Sequence, residues 1–341
     1  MSNRSRLLLL SGPGGSGAGT FAAATARALV DEGHAPHVIE VGAVRVPGDA
    51  LASVLRSSVG RIMAGMGSDP VADEDWAALP GVAPLSALYD VLTALADPGV
   101  DVVVVDCGGI DRARELIAAP SRLVRLLDAA LTPRLAMWRM PGEVESAPTV
   151  FEGLSALRSD LLRMDRALVH GDTIARVVTT TDDTAVGATL DALTAMPLLG
   201  VAVDGVAVTG AAEPPRALVE AMGEIACWAS GDAVLPTPQG RPAVGPLSPA
   251  APLTAEAMVL TSLETGFTLD VPLSGPRRAG ARVGRRGDDL VVAAAGVSRV
   301  LPLPPVLRRC HAVEAMRSER GLCVRFTPDA ALWREPDASV A

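Results

Sequence analysis

The 341-residue sequence is 49% apolar and 20% charged, which is typical of folded globular domains and long enough for two of them. A net charge of −9 disfavours a nucleic-acid partner, because phosphate backbones are bound by excess positive charge. All 30 basic residues are arginine, so no lysine is available for catalysis. Four cysteines without a CxxC pair, and no apolar run of membrane-spanning length, predict a cytoplasmic protein that is not integral to a membrane.

The most informative stretch, residues 7–25, reads as an apolar strand, a glycine-rich turn and an alanine-rich helix. Four successive leucines predict a strand that is buried on both faces of a parallel sheet. Glycines let the backbone approach a ligand closely, and the helix that begins near Thr20 points its amide groups at the turn. The candidate nucleotide-binding residues are therefore Gly12, Gly14, Gly15, Ser16, Gly17, Ala18, Gly19 and Thr20.

Two phosphate-binding motifs compete for this turn. The motif Gly-x-x-x-x-Gly-Lys-Ser/Thr is matched at Gly12 and Gly17, but Ala18 and Gly19 replace its lysine and its magnesium-binding hydroxyl. The GxGxxG motif of dinucleotide-binding folds is also matched, with Glu40 near the position of its ribose-binding acid. The first interpretation implies a nucleoside triphosphate site, and the second implies a dinucleotide-dependent enzyme.

Predicted strands and helices alternate along the next two hundred residues, which indicates an α/β fold with a mostly parallel sheet. Apolar, β-branched runs predict strands at residues 37–44, 100–109, 175–181 and 200–208. Helical periodicity predicts helices at residues 21–32, 85–96, 184–195 and 216–230. A helical, leucine-rich insertion occupies residues 116–168, with proline-marked interruptions.

The stretches LPGVAPL, VDVVVVDCGG and ARVVTTT follow the glycine turn in an order that resembles the ArsA-type and guided-entry ATPases. Both are a dimeric branch of the P-loop NTPases, and the guided-entry ATPases target tail-anchored proteins. The resemblance spans residues 7–237. It implies a P-loop fold, binding of ATP or ADP with Mg²⁺, a dimer, and a hydrophobic client segment held by the helical insertion. The alternative for that insertion is an ordinary core or dimer interface.

The resemblance adds Asp106 and Thr209 as candidate site residues and marks two further losses. Asp106 matches the aspartate that holds magnesium through water in relatives, and the alternative is that it caps the following turn. Thr20, one residue late, is the other candidate magnesium ligand. Thr209 or Gly210 stands where relatives have an asparagine that contacts adenine, and Thr209 can still make one hydrogen bond. Gly42 or Ala43 stands in place of the water-orienting aspartate, and Pro13 in place of an additional loop lysine.

From residue 266 the hydrophobic period changes to two, which predicts a small β-sandwich. This part resembles the α-crystallin-like, small heat-shock-like domain appended to relatives of that family. Eleven arginines against five acids give residues 268–325 a net charge of +6, leaving −15 elsewhere. The predicted divisions are a P-loop domain (1–235), a linker and helix (236–265), a separate β-sandwich core (266–330) and a tail (331–341).

Three functional hypotheses follow. The favoured one is a pseudo-ATPase, without catalytic residues or a required cofactor, that acts as a scaffold or regulatory partner. It would form a homodimer, or a heterodimer with an intact ArsA-like paralogue. The alternatives are an active ATPase that uses arginine in place of the loop lysine, and a Rossmann dinucleotide-dependent enzyme.

Overall fold

The computed structural model describes residues 6–42, 82–131, 147–170, 173–222, 226–231, 257–277 and 280–332. Several predicted features lie outside these residues: the first three residues of the LPGVAPL turn, the proline-marked breaks near Pro133 and Pro141, the proline-rich linker and the end of the chain. The rest of LPGVAPL begins a helix at Val82.

A six-stranded parallel sheet forms the centre of the first unit, and this confirms the predicted α/β class. Its order is β2-β3-β1-β4-β5-β6. The strand β1 lies between two parallel neighbours, and its four leucines are at most 2% exposed, as predicted from the continuous apolar run. The strands are β1 Arg6–Gly12, β2 Pro36–Glu40, β3 Val102–Gly109, β4 Thr173–Thr179, β5 Ala202–Thr209 and β6 Ala226–Gly231.

Helices cover both faces of this sheet. The first helix packs on one face against Leu8 and Leu10, and the remaining helices contribute to the apolar cluster on the other face. In the described part of the insertion, Leu161, Met164 and Leu168 are buried in that cluster, so these residues belong to the core. The helices are α1 Ala18–Asp31, α2 Val82–Ala96, α3 Ile110–Leu131, α4 Ala147–His170, α5 Asp183–Leu199 and α6 Arg216–Met222.

The helix predicted over residues 216–230 is wrong in its second half. The helix α6 ends at Met222, and Ala226–Gly231 is the strand β6, which pairs in parallel with β5. A Cβ atom on Gly205 of β5 would lie 2.5 Å from the Trp228 ring, so the indole lies directly on that glycine. Pairing and packing with β5 decide the conformation of a segment whose own sequence is ambiguous.

The C-terminal unit consists of two antiparallel sheets, as the period of two predicts. One has the order β11-β10-β9 and the other β12-β13-β8-β7. The helix predicted before residue 266 is not observed at Val259–Leu263, which forms β7. The strands are β7 Val259–Leu263, β8 Gly266–Pro272, β9 Arg282–Arg286, β10 Asp289–Ala294, β11 Val297–Pro302, β12 Cys310–Ser318 and β13 Gly321–Pro328.

The two units share one apolar core, so the separate core predicted for the β-sandwich is not observed. Buried residues of both units belong to a single continuous cluster. The helix α5 contacts the second unit directly: Arg299 Nη1 donates to the carbonyl oxygen of Leu198 at 3.0 Å, and the Arg277 amide donates to Thr194 Oγ1 at 2.9 Å.

A buried ion pair joins β4 to β5 next to the central strand. Arg176 Nε donates to Asp204 Oδ1 at 3.0 Å, and a second contact joins Arg176 Nη2 to Asp204 Oδ2. Both side chains are at most 1% exposed, and the guanidinium lies 5.1 Å from the centre of the Trp228 ring. A charge at this depth depends on its partner, because water cannot replace the partner.

We therefore expect Asp204→Asn to lower the free energy of unfolding by about 3–5 kcal/mol, because it leaves the Arg176 charge buried without its partner. Equilibrium urea denaturation measures the change. The control is Glu220→Gln, which breaks the exposed Arg216–Glu220 pair and should cost about 0.5 kcal/mol or less. Equal costs for the two variants would contradict the prediction.

Candidate functional site

The glycine turn, residues 12–19, lies at the point where the chain changes direction across the sheet. From β1 the chain runs to β2 on one side, and from the adjacent β4 it runs to β5 on the other. In open parallel sheets, ligands bind in the crevice at the carboxyl ends of two such strands. The sheet therefore places the predicted turn at the position where a ligand site is expected.

The strand order separates the two motif interpretations. In the Rossmann order 3-2-1-4-5-6 the first two strands are neighbours, and the acid that ends the second strand faces the dinucleotide. Here β3 lies between β1 and β2, so Glu40 pairs with Asp106 instead of lying beside β1. The order gives no support to the dinucleotide interpretation.

The backbone of the turn requires glycine at three positions. A Cβ atom on Gly12 would lie 2.1 Å from the carbonyl oxygen of Val178, so only glycine fits against β4. Gly15 and Gly17 have φ values of 81° and 80°, which side chains rarely adopt. Gly17 is the N-cap of α1 without a side-chain hydrogen bond, so no side chain caps the first amides of the helix.

The Thr209 hydroxyl makes hydrogen-bond contacts with the backbone of the turn. Its Oγ1 atom lies 2.9 Å from the carbonyl oxygen of Ser16 and 3.1 Å from that of Thr179, and the residue is 4% exposed. The role in adenine recognition suggested by the resemblance stays a prediction. In this structure the hydroxyl joins the end of β5 to the glycine turn.

The Ser16 hydroxyl has no hydrogen-bond partner among the residues that the structure describes. The residue is 2% exposed, and its Oγ atom is buried without a hydrogen bond. A Cβ atom on Gly12 would lie 2.2 Å from this hydroxyl, so it points across the inside of the turn. Buried hydroxyls are normally hydrogen-bonded, and one without a partner inside a glycine turn indicates that a ligand or water completes it.

Asp106 approaches the first turn of α1 from the end of β3. Its Oδ1 atom accepts a hydrogen bond from the Gly108 amide at 2.8 Å, which is the capping geometry that the sequence left open as an alternative. Its Oδ2 atom lies 2.8 Å from the place where a Cβ atom on Gly19 would stand. Burial raises the pKa of Asp106, and Glu40 adds to that effect, whereas the Gly108 amide and Arg112 oppose it.

The residues present do not fit Mg²⁺ held between a loop hydroxyl and an aspartate. Position 19 offers no hydroxyl, and the carboxylate of Asp106 occupies the adjacent space. Thr20 is turned about 100° around the helix from Gly19, away from the side that meets Asp106. Among the residues that the structure describes, no group of three or more His, Cys, Asp or Glu side chains is placed to hold a metal ion.

Sequence reasoning missed Arg112. A Cβ atom on Gly42 would lie 3.1 Å from Arg112 Nη1, and one on Gly108 would lie 3.7 Å from the same atom. Both glycines have positive φ, 90° and 61°, and they end β2 and β3 beside Asp106. The sequence shows an arginine soon after the β3 strand, but only the strand order brings it to the end of β2 as well.

Comparisons with known proteins agree with the predicted C-terminal β-domain. Residues 264–326 match the model of an HSP20-like domain found in ArsA. The chain is 28% identical over 393 aligned positions to the uncharacterized protein SCO2128 of Streptomyces coelicolor, covering 96% of this chain and 99% of that protein. It is 24% identical over 346 positions to protein Rv2184c of Mycobacterium tuberculosis, covering 89% and 77%.

The second unit is thus similar to the HSP20-like domain found in ArsA, as the resemblance implied. The two relatives match both units in one alignment, because each covers at least 89% of this chain. A search of the described helices finds none that is long and apolar enough to cross a membrane.

We expect Thr209→Val to loosen the glycine turn and to cost about 1–3 kcal/mol, because the carbonyl oxygen of Ser16 loses a buried donor. Hydrogen exchange of the amides of residues 14–18 should become faster. Thr189→Val is the control, since this buried hydroxyl bonds only a carbonyl within α5. If the turn exchanges equally in both variants, Thr209 does not support it.

Proposed function

We propose that this chain is an ArsA-like nucleotide-site fold that has lost hydrolysis and acts as a scaffold or regulatory partner. The observation that carries the proposal is the contact at Gly19. Asp106 Oδ2 lies 2.8 Å from the position where the Cβ atom of a magnesium-binding Ser or Thr would stand, so residue 19 supplies no hydroxyl and the aspartate crowds its place.

Charged groups that phosphoryl transfer needs are missing from the glycine turn and its surroundings. Phosphoryl transfer depends mostly on electrostatic stabilisation of the transferred group, and the loop lysine, the metal and the water-orienting acid supply much of it. Here Ala18, Gly19 and Gly42 stand at those positions, and Ala18 is packed in the apolar cluster beneath α1. Removing one charge-stabilising donor typically costs ~10²–10³ in rate, and three such groups are absent together.

We expect no ATP hydrolysis above background from the purified protein, with or without Mg²⁺, in a phosphate-release assay. The double variant Ala18→Lys/Gly19→Thr should not restore turnover. Its new Thr side chain must displace the Asp106 carboxylate, and the water-orienting acid is still missing. Turnover near the usual order of ~1 s⁻¹ by the natural protein would refute the proposal.

The residues of the glycine turn also indicate which kind of dimer partner this chain would need. The resemblance implies two nucleotide sites that face each other across a dimer, with an additional loop lysine reaching the opposite site. Pro13 stands at that position, so two copies of this chain cannot complete either site. A paralogue with an intact loop can bind nucleotide in its own half and use this chain as the opposing wall. No described atom comes within 4 Å of a Cβ placed on Gly14 or Gly15, so the turn has room for an apposed surface.

We therefore expect a heterodimer when this chain is co-expressed with an intact ArsA-like paralogue, measured by light scattering. Gly14→Arg should abolish it, because the new side chain projects from the open turn. Gly284→Arg is the control, since this glycine of β9 also has open space around it. If the natural chain stays a monomer or homodimer with every candidate, the heterodimer proposal fails.

A further inference from the structure

The glycine turn keeps groups that attract an anion, although the residues for Mg²⁺ are not in place. We propose that Arg112 takes the place of the divalent cation, so that the turn binds a polyphosphate chain without metal. This inference rests on the proposed function only in taking the turn as the remnant of a nucleotide site.

Two independent features mark the turn as a ligand site. The first amides of α1 have no side-chain cap, and the positive end of a helix favours an anion. The Ser16 hydroxyl, in a residue 2% exposed, has no hydrogen-bond partner and lies across the inside of the turn. A phosphate oxygen can accept from both kinds of donor, because an ionised oxygen has several lone pairs available.

Arg112 and Asp106 both approach Gly108 near the end of β3. Asp106 Oδ2 lies 2.8 Å from the Cβ position of Gly19, and Asp106 Oδ1 accepts from the Gly108 amide at 2.8 Å. Arg112 Nη1 lies 3.7 Å from the Cβ position of Gly108. The guanidinium therefore lies beside the end of β3 that also carries Asp106, and the other carboxylate oxygen of Asp106 reaches the first turn of α1.

The guanidinium is also available. Arg112 is exposed, and within the described residues it makes no hydrogen bond or ion pair. Its five N–H groups remain for a ligand, and its charge is permanent at any pH of interest. An exposed arginine without a fixed partner can move toward an oxyanion, since its long side chain has several rotatable bonds.

The local charge balance explains why an arginine is needed. Asp106 and Glu40 are paired neighbours at the ends of β3 and β2, and together they carry a charge of −2 when ionised. In an active site a divalent metal offsets such charge and lets a phosphate chain approach. Here Arg112 is the cation that acts on Asp106, and it opposes the rise in the pKa of that carboxyl.

The absence of an acid at position 42 fits the proposed role of Arg112 in place of the metal. A Cβ atom on Gly42 would lie 3.1 Å from Arg112 Nη1, so an aspartate there would bring a second carboxylate to the guanidinium. That carboxylate would neutralise the charge of Arg112, and the guanidinium would no longer attract an anion. Glycine at this position leaves the arginine charge free for a ligand.

The test measures binding of inorganic tripolyphosphate to the full chain by calorimetry in EDTA, and then in Mg²⁺. We expect binding in EDTA that Mg²⁺ does not tighten. Arg112→Gln should weaken it about tenfold or more, because a charge-assisted contact is lost. Arg122→Gln, on the exposed side of the same helix α3, removes the same charge away from the turn and should change nothing.

Asp106→Asn distinguishes the proposal from ordinary metal-mediated binding. If Arg112 replaces the metal, removing the opposing carboxylate charge should tighten tripolyphosphate binding. If Mg²⁺ mediates binding, the same substitution should weaken it, and the proposal is overturned. It is equally overturned if the natural protein binds no tripolyphosphate in EDTA, or if Arg112→Gln behaves like Arg122→Gln while both variants show the thermal unfolding of the natural protein.

A parallel titration with ATP separates the phosphate chain from the whole nucleotide. Equal affinities for ATP and tripolyphosphate assign the site to the phosphate chain. Recognition of ATP alone would overturn the inference, because it would place the binding energy in the base and ribose. Neither outcome depends on hydrolysis or on a paralogue, so this inference and the proposed function can fail separately.

Discussion

The close contact between the end of β1 and β4 is the constraint on which the site depends. A Cβ atom on Gly12 would lie 2.1 Å from the carbonyl oxygen of Val178, so the backbone of the turn touches its neighbouring strand directly. β1 is held between β3 and β4, and its leucines are buried on both faces. The position of the turn is therefore set by the core of the sheet, and the start of α1 follows from it.

Glycines near the turn leave room for charged side chains that come from other strands and helices. Gly19 leaves room for the carboxylate of Asp106 at the first turn of α1, and Gly42, just after β2, leaves room for the guanidinium of Arg112. Both lie at the same edge of the sheet. Among the described residues, this edge carries backbone amides, the buried Ser16 hydroxyl, the paired carboxylates of Asp106 and Glu40, and the exposed guanidinium of Arg112.

The sequence was sufficient for elements whose pattern is long and unambiguous. The valine run of β3, the leucines of β1 and the alternation from residue 266 predicted strands where strands are observed. It was insufficient where long-range contacts decide. Residues 226–231 are short and apolar, so only pairing with β5 and the contact between Trp228 and Gly205 make them a strand. The shared core of the two units escaped prediction for the same reason, because no local pattern shows which helix will lie between them.

The site residues also differ in whether the local sequence is enough to identify them. The glycine turn and Asp106 could be named from spacing and strand ends, since those features are local. The approach of Arg112 to Gly42 requires β2 and β3 to be neighbours, and strand order is a property of the whole sheet. The support of Ser16 by Thr209 requires β5 to end below the turn, which again depends on the order of strands and not on any motif.

The helix α5 gives a physical reason why the second unit and the turn occur in one chain. It begins directly after β4, the strand that contacts Gly12, and Asp182 caps it by accepting from the Ala185 amide at 2.9 Å. Toward its other end, Thr194 accepts from the Arg277 amide, and Leu198 accepts from Arg299 of β11. One helix therefore contacts the HSP20-like unit and starts beside the strand that positions the turn. Buried residues of β4, α5 and the second unit belong to the same apolar cluster. A change that moved β4 would therefore require repacking in both units. Continuous packing of this kind suits a chain that presents a surface to a partner better than one that must open and close around a reaction.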